Sequence, residues 1–254
     1  MLYEVHHINF LAKLTYMRQK QEFRKPLHPK KNQMEQNKAF LGVSLDNQIF
    51  LTDWLSFALK NIINEHDTIL FLLADDLLRY TRTISDNNED EILDFIEIEN
   101  IISKRRKKFT NHLTNCLSSF SADLSKKIEV KVWKDFEDWR YTEILRNLVI
   151  AFYNVKPFRE DVYSLAHQHL KKFSNSSKYD NLLNSSALYI IDEVSMAIRV
   201  SEFDNFYNEY YPTDEVSILT NLYAKKYQEN GLTVQSLIKQ EPKRHFQTLN
   251  ILSK

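Results

Sequence analysis

The chain has 254 residues, its 34 basic and 34 acidic residues cancel, and it contains only two glycines, Gly42 and Gly231. A Rossmann fingerprint needs three closely spaced glycines and a P-loop needs two, because the backbone must approach a phosphate without a Cβ in the way. Two isolated glycines therefore exclude dinucleotide or nucleotide binding through either motif. With 43% hydrophobic and 27% charged residues, the composition is that of a folded globular protein.

The single cysteine, Cys116, cannot form an intrachain disulfide, which favours a reducing, cytoplasmic compartment. Neither the first ten residues nor any later segment has the apolar run of an export signal or a membrane span, so we expect no membrane partner. No two histidines have the i, i+4 spacing that shares a helix face, so we also expect no bound metal.

Residues 17–38 are strongly basic and contain two prolines. They predict an exposed N-terminal arm over residues 1–38, followed by a single folded domain over residues 39–254. Apolar runs at 39–43 and 68–74 predict two buried strands, and Thr52 and Asp53 predict the start of a helix between them. A strand, a helix and a strand in this order indicate a parallel βαβ unit.

The rest of the chain predicts mainly helices. Apolar residues recur at helical spacing over 89–120, 135–154, 160–173 and 181–200. Alternation predicts a strand at 127–133, and an aromatic-rich segment at 203–211 is expected to be extended up to Pro212. The predicted fold class is therefore α/β: a Rossmann-like parallel sheet of about five strands, flanked by helices.

The segment Gly42-Val43-Ser44 places a serine at the carboxyl end of the first strand, where open α/β sheets bind ligands. A serine after a strand is more often a helix cap or a turn residue. The hydrolase elbow G-x-S-x-G is absent, because Asp46 stands in place of its second glycine. On its own, the G-x-S segment makes Ser44 only a candidate nucleophile.

Two further candidates lie in the second half of the chain. Tyr189 and Glu193 are four residues apart on a predicted helix and share one face, where they could hold a protonated amine and relay protons. In isolation, an exposed polar face, or Tyr189 as a core residue, explains the pair better than a functional role does. Tyr211 and Asp214 flank Pro212, and in isolation a simple strand-to-helix turn with Asp214 as its cap explains them better than a functional role does.

Five consecutive cations follow an acidic stretch: Lys104, Arg105, Arg106, Lys107 and Lys108. Each helical residue advances by about 100°, so the five cannot all face one surface. Lys104, Lys108 and either Arg105 or Lys107 can nevertheless face one phosphate backbone. A solvated helix face usually explains a run of charge, but this density favours polyanion binding equally, with RNA as the expected polyanion.

Taken together, four elements resemble the cyclodipeptide synthases, which make cyclic dipeptides from aminoacyl-tRNAs on a domain like that of class I aminoacyl-tRNA synthetases. In the order of that family they are the G-x-S segment at 42–47, the basic helix at 104–108, the Y-x-x-x-E pair at 189–193 and Tyr211. The resemblance covers about residues 39–223. Val194 and Ser195 stand where the family usually has Leu-Pro. Asn47 is typical of one subgroup, whereas Tyr211-Pro212 is typical of the other.

The resemblance implies a role for each candidate. Ser44 would be the nucleophile, Tyr189 and Glu193 would bind the α-ammonium group, and Glu193 and Tyr211 would move protons. The supporting residues would be Gly42, Asn47 and Asp214. The basic helix would hold the acceptor stem of the first tRNA. Exchange of one ester for another needs no ATP, so no cofactor is expected.

The side chain of the first amino acid is expected in an apolar pocket at the strand ends. The residues proposed to line this pocket are Phe40, Gly42, Leu72, Ala74 and Met196.

Two alternatives stay open. A serine esterase or acyltransferase would need a histidine base oriented by an acid, and no histidine lies in a motif of that kind; those considered are His66, His112, His167 and His169. A non-catalytic RNA-binding protein would need only the basic helix. Replacing Ser44 would change nothing in that protein, whereas neutralising Arg105 and Arg106 would abolish its binding.

Overall fold

A computed structural model describes residues 37–75, 95–171, 179–204, 206–211, 217–224, 226–238 and 247–250. Within these ranges five strands form one parallel sheet in the order β3-β2-β1-β4-β7, and β5 and β6 form a separate antiparallel hairpin. The strands are β1 (Lys38–Val43), β2 (Thr68–Leu73), β3 (Ile128–Val132), β4 (Phe206–Tyr211), β5 (Gln228–Glu229), β6 (Leu232–Thr233) and β7 (Gln247–Asn250). This architecture confirms the predicted α/β fold class with a parallel sheet.

The described ranges contain α1 (Asp53–Ile62), α2 (Phe95–Leu117), α3 (Ala122–Ser125), α4 (Trp139–Asn154), α5 (Lys156–His169), α6 (Tyr179–Asp204), α7 (Ser217–Tyr223) and α8 (Val234–Ile238). Short 3-10 helices lie at Gln48–Leu51 and Trp133–Asp135. Residues 1–36, which make up nearly all of the predicted arm, lie outside the described residues. The first strand already begins at Lys38, the last residue of that arm.

Alternate residues of β1 and β2 face opposite sides of the sheet, and each side has its own hydrophobic cluster. Ala39, Leu41 and Val43 face α1 and α2 in one cluster. Phe40 belongs to the other cluster, with buried residues of α4 to α8. The sheet is therefore covered on both faces, which explains why β1 and β2 are apolar after their first residues.

Helix ends follow local chemistry. Thr52 caps α1 as predicted, because its Oγ1 accepts the Trp54 N–H at 3.3 Å. The predicted helix at 135–154 begins only at Trp139, since Asp138 is its cap. The predicted helix at 160–173 begins earlier, at Lys156, because Pro157 fits the first turn, where its missing N–H is not needed.

The second glycine of the chain forms a tight turn. Asn230 and Gly231 have φ angles of 50° and 78° and join β5 to β6. Positive φ at both central residues is typical of a type I′ turn, whose twist matches that of the two strands it joins. Asn-Gly is the preferred sequence for this turn. This use of Gly231 is conformational, whereas Gly42 lies inside β1.

An ion cluster around the buried Arg199 joins the start of α4 to the end of α6. Arg199 donates to Asp138 from Nε at 3.0 Å and from Nη2 at 2.8 Å, and it also pairs with Asp204. Burial disfavours the charged guanidinium, but the hydrogen bonds and charges of the two carboxylates outweigh it and raise the pKa of Arg199. Arg199 therefore stays charged, and its ion pairs fix α6 against α4.

His66, which precedes β2, should make stability depend on pH. Its ring is 5% exposed and lies 3.0 Å from the Asn37 Oδ1, which can only accept, so Nδ1 donates. Burial lowers the pKa of His66 below its ordinary 6.5, so the unfolded chain binds the proton more readily. The neutral ring therefore makes its full contribution to the free energy of unfolding above about pH 6.5. That contribution is lost as the pH falls towards the pKa of His66 in the folded protein.

We expect the free energy of unfolding contributed by His66 to shrink as the pH falls from 7.5 to 5.5, with a slope of at most about 1.4 kcal/mol per pH unit. The comparison is with His66→Gln, which retains a donor for Asn37. Urea unfolding of both proteins at each pH gives the difference in their free energies of unfolding. A difference that stays constant across this pH range would contradict the prediction.

Candidate active site

The strand order reverses at β1, because β2 and β3 lie on one side of it and β4 and β7 on the other. Leu41 of β1 pairs in parallel with Tyr210 of β4, so both strands end at the same edge of the sheet. Open α/β sheets bind ligands in the crevice at the carboxyl edge where the order reverses. Ser44 directly follows β1 and Tyr211 ends β4, so both backbones border this crevice.

The turn after β1 is fixed by its own hydrogen bonds. The Ser44 carbonyl accepts the Asn47 N–H at 3.0 Å. The Asn47 Oδ1 in turn accepts the Ile49 N–H at 3.1 Å and caps the 3-10 helix that begins at Gln48. The capping role that a serine after a strand often performs therefore belongs to Asn47. Ser44 is half-buried and its hydroxyl is not used as the cap.

The length of α6 brings Tyr189 and Glu193 to the level of Ser44. Helix α6 leads into β4, whose first residue is level with Lys38, so it runs antiparallel to the strands. Along β1, Ser44 lies about 20 Å beyond Lys38, at about 3.3 Å per residue. In a helix that rises by about 1.5 Å per residue, about 20 Å corresponds to about 13 residues. Counted back from Asp204, this length ends between Tyr189 and Glu193.

Tyr189 and Glu193 are both half-buried, and Tyr189 packs against the hydrophobic cluster beneath β1. The pair therefore borders the core at the carboxyl edge of the sheet. An exposed polar helix face, one of the two structural explanations of the pair, does not describe these side chains. The other explanation, Tyr189 as a core residue, agrees with its packing.

The residues expected around the first amino acid share one side of the sheet. Phe40, Leu72, Ala74 and Met196 are each at most 1% exposed and belong to the same cluster, under α4 and α6. Gly42 pairs with Leu72 in the sheet and, by alternation, faces the same side as Phe40.

The two arginines of the basic run face the sheet. Arg105 forms an ion pair with Asp46, two residues after Ser44, and Arg106 forms one with Asp75, which follows β2. Partial burial lowers the pKa of Arg105, but its ordinary value is so high that the group stays charged at neutral pH. The arginines thus fasten α2 to the carboxyl ends of β1 and β2.

The three lysines of the run face away from the sheet. Lys104, Lys107 and Lys108 are exposed, and their i, i+3 and i+4 spacing puts them on one face of α2. We call them the lysine stripe. Of the two combinations that the sequence left open, the structure brings together the one that contains Lys107.

Two buried carboxylates at this edge were not among the predicted site residues. Asp75 is 2% exposed and its Oδ1 accepts the Trp133 backbone N–H at 3.2 Å. Asp192 is fully buried, and its Oδ1 accepts hydrogen bonds from the Trp133 indole at 3.3 Å and from the Tyr141 hydroxyl. The sequence offered a signal for Asp75, which directly follows a buried strand, but none for Asp192, which lies within an apolar helix.

Two predicted residues remain without side-chain geometry. Tyr211 is the last residue of β4, where it pairs with Asn250 of β7, and only its backbone is described. Asp214 lies outside the described residues.

The described histidines do not supply a hydrolase base. His66 precedes β2 and so lies at the opposite edge of the sheet from Ser44. His112 Nε2 lies 3.1 Å from the Thr52 carbonyl oxygen. His167 Nδ1 lies 2.6 Å from the Tyr179 hydroxyl, and the two rings are stacked. Within the described ranges no histidine is hydrogen-bonded to Ser44, so the serine esterase alternative has no support from them.

Across the described ranges, no group of three or more histidine, cysteine, aspartate or glutamate residues could hold a metal ion. In the same part of the chain, every helix is too short or too polar to cross a membrane.

Fold and site together define a Rossmann-like α/β protein with polar side chains at its strand-order reversal. No protein-family model and no curated protein sequence matches the chain. Solved structures do match. A cyclodipeptide synthase from Fluoribacter dumoffii aligns with a TM-score of 0.57 and 16% identity over 76% of this chain and 87% of its own.

Two further structures give similar values. A cyclodipeptide synthase from Bacillus thermoamylovorans has a TM-score of 0.56 and 15% identity, over 76% of this chain and 83% of its own. A Mycobacterium tuberculosis protein, whose structure relates cyclodipeptide synthetases to type I tRNA synthetases, has a TM-score of 0.53 and 16% identity, over 73% and 78%. This chain therefore has the fold of the cyclodipeptide synthases, and the resemblance predicted from four short motifs is confirmed at the level of the fold.

Proposed function

We propose that this chain is a cyclodipeptide synthase, an aminoacyltransferase that joins the amino acids of two aminoacyl-tRNAs in a cyclic dipeptide. The observation that carries this proposal is the convergence of a serine, a tyrosine-glutamate pair and a basic helix on the carboxyl edge of one sheet. Each feature has a common structural explanation when it stands alone. Their convergence at the strand-order reversal, in the fold of the cyclodipeptide synthases, supports a shared chemical purpose.

The first step is transfer of an aminoacyl group to Ser44. The Ser44 Oγ attacks the ester carbonyl, the bond from that carbonyl to the tRNA ribose oxygen breaks, and the ribose oxygen takes up the serine proton. One ester replaces another, so the free energy changes little and no nucleotide has to be hydrolysed. The result is an aminoacyl enzyme, and the overall scheme is ping-pong.

Tyr189 and Glu193 orient this first substrate. A carboxylate and a phenol oxygen four residues apart on a helix can hold one α-ammonium group by charge-assisted hydrogen bonds. Holding that group at the level of Ser44 positions the carbonyl for attack. Gly42 leaves space beside the reacting ester, and the lining of Phe40, Leu72, Ala74 and Met196 favours an apolar first amino acid.

The second step consumes another aminoacyl-tRNA. The amine of the Ser44-bound residue attacks the incoming ester, which forms a peptide bond and releases the second tRNA. The new terminal amine then attacks the Ser44 ester, which closes the six-membered ring and frees the serine. Each amine must first lose a proton, for which Glu193 is the proposed acceptor and Tyr211 a proposed relay.

The remaining residues act in support. Asn47 holds the turn of Ser44 through its cap and retains Nδ2 as a donor, and Asp214 would assist near Tyr211. The lysine stripe on α2 would bind the acceptor stem of the first tRNA, with the arginines behind it.

The decisive test is direct product analysis. The purified full chain is mixed with tRNAs charged with all twenty amino acids, and the reaction is analysed by mass spectrometry. We expect at least one cyclic dipeptide that contains an apolar residue, and none when the tRNAs are deacylated beforehand. Tight tRNA binding without any cyclic dipeptide would instead support the non-catalytic RNA-binding alternative.

A further inference from the structure

Asp192 lies between Tyr189 and Glu193 in α6 and, by its i, i+3 spacing, shares a helix face with Tyr189, but its side chain is completely buried. It is 0% exposed and lies among buried apolar residues of the same helix. A buried carboxylate is costly unless donors satisfy it. Its position in the middle of the proposed ammonium-binding turn therefore calls for a purpose.

Two donors from different elements meet on Asp192. The Trp133 indole N–H, just after β3, donates to Oδ1 over 3.3 Å, and the Tyr141 hydroxyl, in the first turn of α4, donates to the same oxygen. Both aromatic rings are at most 2% exposed. Asp192 therefore binds α6 to β3 and α4 at one point, by directional hydrogen bonds.

The contacts continue to the basic helix. The backbone N–H of Trp133 donates to the Asp75 Oδ1 over 3.2 Å, and the other oxygen of Asp75 pairs with Arg106 of α2. The Ala74 N–H, one residue earlier, donates to the Val43 carbonyl at 2.9 Å, directly before Ser44. A polar chain thus links the helix proposed to bind tRNA with the helix proposed to bind the substrate amine. It runs from the partly exposed Arg106 through the buried residues Asp75, Trp133 and Asp192.

We propose that Asp192 is a positioning residue, which through Trp133 and Tyr141 fixes the rotation of α6 and hence the direction of Tyr189 and Glu193. This inference rests on the proposed function. Side chains end about 5–6 Å from a helix axis, so a rotation of about 20° would move them by about 2 Å. A misplacement of about 1 Å can cost about 10²-fold in rate, so a fixed rotation matters.

The burial of Asp192 separates this role from direct substrate binding. Its Oδ1 already accepts two hydrogen bonds inside the core, whereas Glu193 is half-buried at the edge of the sheet. A positioning role needs an acceptor oxygen at residue 192, but not a negative charge. Asparagine keeps the oxygen and loses the charge, and alanine loses both.

The test uses the full chain and steady-state kinetics of cyclic dipeptide formation from aminoacyl-tRNA. We expect Asp192→Ala to lower kcat by about 10²-fold, and Trp133→Phe and Tyr141→Phe to lower it by about 10-fold each. The KM for aminoacyl-tRNA should stay within about twofold, because the lysine stripe is untouched. Asp192→Asn should keep kcat within about threefold of the parent. Equal damage by Asp192→Asn and Asp192→Ala would overturn the proposal in favour of a direct role of the charge.

Tyr163→Phe is a matched control. It removes a phenol hydroxyl that donates to the Asn184 Oδ1, also on α6, over 3.0 Å. We expect it to lower Tm about as much as Tyr141→Phe does, yet to leave kcat within about twofold. Equal losses of kcat in these two variants would show that Tyr141 acts only through stability, which would overturn the proposal.

A second readout does not need activity. The indole N–H resonance of Trp133 in ¹⁵N spectra should lose its hydrogen-bonded shift in Asp192→Ala and keep it in Asp192→Asn. An unchanged shift in Asp192→Ala would refute the contact whether or not the chain makes cyclic dipeptides. Absence of product from the parent chain, with the shifts as expected, would count against the proposed function alone.

Discussion

Ser44→Ala is expected to lower the rate of cyclic dipeptide formation by about 10³-fold or more. Loss of a nucleophile that forms a covalent intermediate removes both halves of a ping-pong reaction, and enzymes with such nucleophiles lose rate on at least this scale. The measurement is the initial rate of product formation by mass spectrometry, with aminoacyl-tRNA in excess. In parallel, intact-protein mass spectra should show an aminoacyl adduct on the parent and none on Ser44→Ala.

The variant should still bind its substrate. Ser44 is half-buried after β1 and the lysine stripe is on α2, so the Kd for tRNA should change by less than about twofold. Ser56→Ala, a half-buried serine of α1, serves as the matched control and should retain the parent rate. Ser44→Cys should form a thioester adduct that can be isolated. A Ser44→Ala protein that still turns over would exclude this serine as the nucleophile.

The parts of the fold that could be predicted from the sequence are those whose signals are local. The apolar runs of β1 and β2 fill both faces of the central strands, and the Thr52 cap needs only the residues that follow it. Strand β7, at Gln247–Asn250, was not predicted, because four residues without an apolar run become a strand only by pairing with β4. Non-local pairing of that kind leaves no periodicity in the sequence.

The site divides in the same way. Ser44 and the Tyr189-Glu193 pair could be proposed from spacing, because a strand end and a helix turn fix their neighbours. The split of the basic run could not, since the partner of Arg105 is Asp46, 59 residues earlier, and five adjacent cations look alike in a sequence. Only the packing of α2 against the sheet edge shows which of them face carboxylates.

The lysine stripe should control tRNA affinity. A variant that carries glutamine at positions 104, 107 and 108 removes three exposed cations on one face of α2. Each phosphate contact contributes about −0.9 to the slope of log K against log salt, so the slope should fall by about 3 in magnitude. At about 0.1 M salt this corresponds to an increase in KM on the order of 10²-fold, with kcat little changed. Filter binding and initial rates between 0.05 and about 0.3 M salt measure both quantities.

A matched variant with glutamine at positions 60, 156 and 171 removes three exposed lysines elsewhere. It makes the same change in net charge, so it should lower the salt slope by less than about 1. Equal losses of affinity in the two variants would mean that tRNA responds to overall charge, which would contradict a defined stripe.

The arginines of the same run should show the opposite kinetic pattern. Arg105→Gln removes one positive charge, as Lys104→Gln does, but it also releases Asp46 and with it the turn that carries Ser44. Its KM should therefore rise no more than that of Lys104→Gln, whereas its kcat should fall by about 10-fold, because a displaced nucleophile slows the acylation step. Exchange of the two charges, Asp46→Arg with Arg105→Asp, should restore part of that kcat. If Arg105→Gln changed only KM, Arg105 would join the lysines as a phosphate contact, and the division of this helix into a binding face and a fastening face would fail.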